Sequence, residues 1–75
     1  MTGHVYSRND LSWIGDNLHV WRGRRILGII QDSKYPQMWR VEMPDGRTTD
    51  MVNRSRAKDA AYSVALSILN ADKRL

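Results

Sequence analysis

Six cations carry the most definite chemistry in this chain. Arg22, Arg24 and Arg25 crowd one short stretch, and Arg54, Arg56 and Lys58 crowd another. Guanidinium and ammonium groups at such spacing are suited to phosphate, through charge and through donated hydrogen bonds. Trp21 stands directly before the first cluster, where an indole can stack on a base or flank a phosphate contact. Lys and Arg number 12 against 8 Asp and Glu, a net charge of +4 over 75 residues, and the sequence pI is near 10.0. A surplus of that sign favours polyanionic partners. Arg22, Arg24, Arg25, Arg54, Arg56, Lys58 and Trp21 are therefore the candidate nucleic-acid-binding residues.

Catalysis has no comparable set of residues. Cysteine is absent, which excludes disulfides, thiolate metal sites and cysteine nucleophiles together. The two histidines are His4, near the start of the chain, and His19, on an expected strand, and they are too few and too far apart for a metal cluster. The carboxylates are scattered singly: Asp32, Asp45 and Asp50 read as turn or pairing residues, and no carboxylate pair is set by spacing. Gly23-Arg24-Arg25-Ile26-Leu27-Gly28 imitates the first part of a phosphate loop. Ile29 and Ile30 stand where the lysine and hydroxyl residue should be, and no helix follows. Asn53-Arg54-Ser55 matches a glycosylation sequon, but helix capping explains it better. No catalytic residue, metal site or cofactor is expected.

The elements that position the cations come from the pattern. A chain this short supports one core. Met1 to Asn17 is mixed and polar, with only Leu11, Trp13 and Ile14 as anchors, and reads as a partly disordered arm ahead of a single domain over 18–75. Leu18 to Trp21 alternates as a strand, Arg22-Gly23-Arg24 turns, and Arg25 to Gln31 is an Ile/Leu-rich run. Pro36 biases Tyr35 away from helix. Met38 to Met43 is the clearest strand, with Trp39, Val41 and Met43 on one face and Met38, Arg40 and Glu42 on the other. Pro44-Asp45-Gly46 forms a tight turn, and Arg47 to Met51 a short returning strand. Asn53 and Ser55 are alternative caps for a helix from Ser55 to about Ala71. Its Ala57, Ala60, Ala61, Val64, Ala65, Ile68 and Leu69 follow the helical period. The expected fold is α+β: an antiparallel meander of three or four strands packed on one C-terminal helix.

Two features of this arrangement bear on function. Cations at a helix N-terminus oppose the helix dipole, and a docked phosphate would reverse the sign of that interaction. The alternative is neutralisation by Asp50 and Asp59. Separately, Ile26-Leu27-Gly28-Ile29-Ile30 is apolar on both faces of its strand, whereas one helix covers one face. The second face is then covered by the Trp13-Ile14 arm, buried in a homodimer, or used for a protein partner.

Arg54-Ser55-Arg56-Ala57-Lys58, following the Asp45-Gly46 turn and leading into Ala60, Ala61, Ala65 and Leu69, resembles the last part of double-stranded RNA-binding domains. That resemblance implies that Arg54 and Lys58 meet phosphates across a groove, although the family's N-terminal helix has no counterpart before Leu18. The layout of a sheet followed by one helix also resembles the arm-type DNA-binding domains of phage and transposon integrases, which implies a sheet laid in the major groove. The stretch Trp39 to Arg47, with Ala57-Lys58-Asp59-Ala60-Ala61, is similar to short uncharacterised bacterial sheet-plus-helix proteins, which implies no activity.

The sequence thus predicts a small, non-enzymatic basic module that binds the phosphates of DNA or RNA through a hairpin and a helix N-terminus. The alternative is a protein-interaction or homodimerisation domain using the second sheet face. No apolar run approaches the ~20 residues of a membrane span, so no membrane partner and a cytoplasmic location are expected.

Overall fold

A computed structural model of the chain describes residues 5–20 and 23–71. After a single 3₁₀ turn at Arg8–Asp10 come four strands: β1 (Leu11–Ile14), β2 (Asn17–Val20), β3 (Arg25–Gln31) and β4 (Trp39–Glu42). Helix α1 (Arg54–Asn70) follows. The strands form one antiparallel sheet in the order β1-β2-β3-β4, a meander backed by the helix, so the expected α+β class is the observed one. No helix among the described residues is long and apolar enough to cross a membrane.

The first strand corrects the reading of residues 1–17 as an arm. Leu11 and Trp13 face the helix, paired with Val20 and Leu18, while Ser12 and Ile14 face outward beside His19 and Asn17. Gly15, at φ +62°, occupies the first central position of the two-residue turn that joins β1 to β2. Both favoured hairpin turns need a positive φ there, which a β-carbon would strain. The sheet therefore begins at Leu11, seven residues before the expected domain start.

The central strand β3 pairs with β2 along its first half and with β4 along its second. Pairing runs Asn17↔Gly28 and Leu18↔Leu27, then jumps to His19↔Arg25. Ile26 is thus an extra residue in a β-bulge, and such bulges redirect side chains. Ile26 and Leu27, neighbours in the chain, are both buried in the same core as Leu18, Ile29 and Val41. The expectation of two apolar faces on β3 is corrected accordingly: the outer face keeps Ile30 and Gly28, and the bulge places Ile26 in the core.

Leu18, Leu27 and Val41 have no solvent exposure, and each such side chain contributes roughly 1.5–3 kcal/mol by leaving water. Ala57, Ala61 and Ala65, four residues apart, are also fully buried; their small side chains let α1 lie close on β3 and β4. Trp39 is half-buried against this core, on the same side as Val41. Ile68 departs from expectation by standing 43% exposed. The 17-residue helix is ~25 Å long, whereas four-residue β4 is only ~13 Å, so the last helical turns outrun the strand. There Val64 and Ile68 line an open, mainly apolar groove of about 510 Å³ with Met43 and Pro44.

The expected returning strand over Arg47–Met51 is reduced to isolated bridges, Glu42↔Thr48 and Trp39↔Val52. The Thr49 hydroxyl accepts the Val41 amide at 3.0 Å, taking the place of a backbone carbonyl, and this local competition interrupts a regular ladder. Gly46, at φ +92°, closes the expected Pro44-Asp45-Gly46 turn, its amide bonded to the Met43 carbonyl at 2.9 Å.

Candidate nucleic-acid interface

The helix start is built by Asn53, the earlier of the two expected caps, whose side chain accepts the Arg56 amide at 2.9 Å. The first turn of α1 has no acidic residue. Its neutralising partner comes instead from the β1–β2 turn, where Asp16 accepts Arg54 Nη2 at 2.7 Å. The Arg54 guanidinium also lies 5.1 Å from the centroid of the Trp39 ring, a cation–π distance. Asp59, expected to neutralise this cluster, pairs with Arg8 at 3.5 Å.

Lys58 points towards β1, its Nζ 5.0 Å from the Trp13 ring centroid. Trp13 meets Tyr62 edge to face at 6.0 Å, and Arg8 caps Tyr62 at 4.1 Å. Two cations and two aromatic rings thus tie β1 and the preceding turn to the helix. Arg56 is exposed, and its side chain forms no ion pair with a described residue.

At the first cluster, Trp21 and Arg22 lie outside the described residues. Arg24 is exposed, without an ion pair to a described residue. Arg25 is occupied: Nε donates to Asn17 Oδ1 at 2.7 Å and Nη2 to Glu42 Oε1 at 3.2 Å.

The backbones of the two clusters stand at opposite ends of β3. Arg25 begins it, and Gln31, which ends it, pairs with Trp39, itself bridged to Val52 just before α1. Six residue steps along a strand are ~20 Å. Two of the side chains nevertheless converge, because Arg54 holds Asp16 while Arg25 holds the adjacent Asn17.

The outer face of the sheet carries a row across all four strands, Ile14–Asn17–Gly28–Glu42. Ser12, His19, Ile30 and Arg40 flank it, with Ile14 63% and Ile30 37% exposed. Arg40 donates to Asp32 at 3.4 Å and to the Thr49 carbonyl at 3.0 Å. Asp32 also accepts the amides of Lys34 and Tyr35 at 2.9 Å each. Those contacts hold its carboxyl below the usual range: the Tyr35 amide is the strongest influence, partial desolvation works against it, and the Lys34 amide and Arg40 add to it.

Gly28 and Asn17 are the residues of this region that the sequence did not single out. An isolated glycine inside a strand pattern is the one available signal, since it marks a close approach by another group. Among the described residues, no group of three or more His, Cys, Asp or Glu side chains is placed to hold a metal ion. Compared with protein-family models, curated proteins and solved structures, the chain finds no match.

Proposed function

We propose that this protein is a non-enzymatic basic module that binds the phosphates of nucleic acid. The observation that carries the reading is the start of α1, where a first turn without acidic residues bears Arg54 and Arg56. Asp16 engages Arg54, while Arg56 points to solvent without an acidic partner among the described residues. With Arg24 exposed at the β2–β3 turn and a net charge of +4, Arg24 and Arg56 are the two of the six candidate cations that are free for phosphate among the described residues. Arg25, Arg54 and Lys58 join from their intramolecular contacts, with Trp21 and Arg22 beside Arg24 in the chain.

The test is titration of the protein with duplex DNA, duplex RNA and single strands at low and moderate salt. Arg24→Gln with Arg56→Gln should weaken binding irrespective of base sequence and flatten the salt slope for duplex DNA by about 2. A parent protein that binds none of these polymers at low salt refutes the proposal.

The homodimer alternative now rests on Ile14 and Ile30, because Ile26 belongs to the core. Dissociation of a dimer by Ile30→Lys with the fold retained would favour it over phosphate binding.

A further inference from the structure

On the outer face of the sheet, Gly28 sits in the middle of the central strand, where a glycine packs nothing and weakens the strand. The space its side chain would fill is already taken. A β-carbon there would stand 2.9 Å from Arg25 Nη2 and 3.0 Å from Asn17 Oδ1. Arg25 approaches along β3 from three residues away, and its donors reach across that strand, Nε to Asn17 on β2 and Nη2 to Glu42 on β4. The guanidinium is therefore anchored from both neighbouring strands, close against Gly28. Two of its five N–H donors, on Nε and Nη2, are engaged in those hydrogen bonds, and the side chain remains 40% exposed. A cation anchored at both sides and still exposed in this way has a planar surface available to solvent. Exposed Ile14, two strands across on β1, and exposed Ile30, two residues along β3, share this outer face with Gly28.

From this geometry we infer that Arg25 is a stacking platform for an unpaired base of single-stranded nucleic acid, DNA or RNA. The inference rests on the proposed nucleic-acid reading and changes the role of Arg25 within it: the residue meets a base with its face, while Arg24 and Arg56 meet phosphates. Bases stack on guanidinium planes as they do on aromatic rings, and the apolar isoleucines suit the edges of base and sugar. A base inside a duplex is stacked on both sides already and cannot reach the platform, so the surface selects single strands. A lysine could supply the charge at this position but not the plane.

The experiment uses the full chain and a mixed-sequence oligonucleotide, as single-stranded DNA, as single-stranded RNA, and as the duplex with its complement. On adding either single strand, the Arg25 Nε–H resonance should move upfield through the ring current of the stacked base, while the duplex leaves it in place. Arg25→Lys should weaken single-strand binding at least about fivefold and duplex binding much less. If single strands bind while the Nε–H resonance stays put, or Arg25→Lys binds them as the parent does, the platform is refuted and the phosphate reading stands. If no nucleic acid binds at low salt, both fall. The resonance is read on the parent protein, so the test survives a variant that fails to fold.

Discussion

Replacing Gly28 by alanine probes the packing of the outer face directly. Gly28 does not use the left-handed region, so space decides the outcome. The new β-carbon would stand 2.8 Å from the Asp16 carbonyl oxygen, closer than to either Arg25 Nη2 or Asn17 Oδ1. Arginine can swing its terminal group aside. The Asp16 carbonyl cannot retreat easily, because it accepts the Ile29 amide at 2.9 Å and belongs to the turn that joins β1 to β2. Overpacking of this kind costs ~1–3 kcal/mol, and loosening the half-exposed Arg25 contacts adds a further ~0.5–1 kcal/mol. Against this, alanine reduces the freedom of the unfolded chain by ~0.4–1 kcal/mol. The net loss is ~1–3 kcal/mol, set against a total of roughly 4–11 kcal/mol for a domain of this length. At ~4–8 °C per kcal/mol, Tm should fall by ~5–20 °C. Thermal and urea unfolding followed by circular dichroism measure the change, and repeating them with Arg25→Ala as background separates the two contacts. Most of the cost should persist there, because the backbone oxygen remains. An alanine variant as stable as the parent would mean that the approach of the β1–β2 turn to Gly28 is wrong. A cost that vanished in the Arg25→Ala background would instead assign the strain to the guanidinium.

Four further substitutions have outcomes that the structure sets. Arg54→Gln should lower stability by ~0.5–1.5 kcal/mol through loss of the Asp16 and Trp39 contacts, and the loss should shrink in 1 M salt. Arg56→Gln should leave stability level or raise it by a few tenths of a kcal/mol; equal effects of the two changes would contradict their different surroundings. Asp32→Ala should lower the urea midpoint at pH 7 by an amount that disappears in acid. The native carboxyl titrates below its ordinary 3.8, so its contribution is present above that value and is lost as pH falls through the lowered one; a pH-independent difference would rule out the ionised carboxylate as the source. Ala61→Leu should cost ~1–3 kcal/mol by lifting α1 from β3 and β4, visible as a lower Tm, and an unchanged Tm would show that the helix is not closely seated.

Legibility in the sequence follows the range of the interactions. Helix α1 could be read because its alanine stripe repeats at the helical period, and Asn53 as a cap acts within one turn. The strand at Trp39–Glu42 could be read because inward and outward residues alternate. β1 was harder: four residues with Leu11 and Trp13 inward and Ile14 outward give too short an alternation to stand out. Gly15-Asp16 between two short segments was nevertheless a usable hairpin signal. Of the candidate site, the sequence placed the exposed cations on a turn and on a helix start. It gave no sign that Asp16, 38 positions before Arg54, would supply the anion missing from the helix's first turn.

By itself, then, the sequence determined the class of fold, the order of its elements from β2 onward, the capping of the helix and the net positive charge. Those depend on local periodicity, backbone preferences and composition, which neighbouring residues set among themselves. Only the tertiary structure decided the facing of Ile26 and the roles of individual arginines. A single extra residue in the β2–β3 pairing turns Ile26 into the core, and the register of three strands gathers Asn17, Gly28 and Glu42 beneath Arg25. Pairing register is fixed by contacts between distant segments, and a shift of one residue exchanges the two faces of a strand. The same arginine could therefore be a free cation or one anchored by hydrogen bonds, and the neighbours brought to it by the folded sheet decide which.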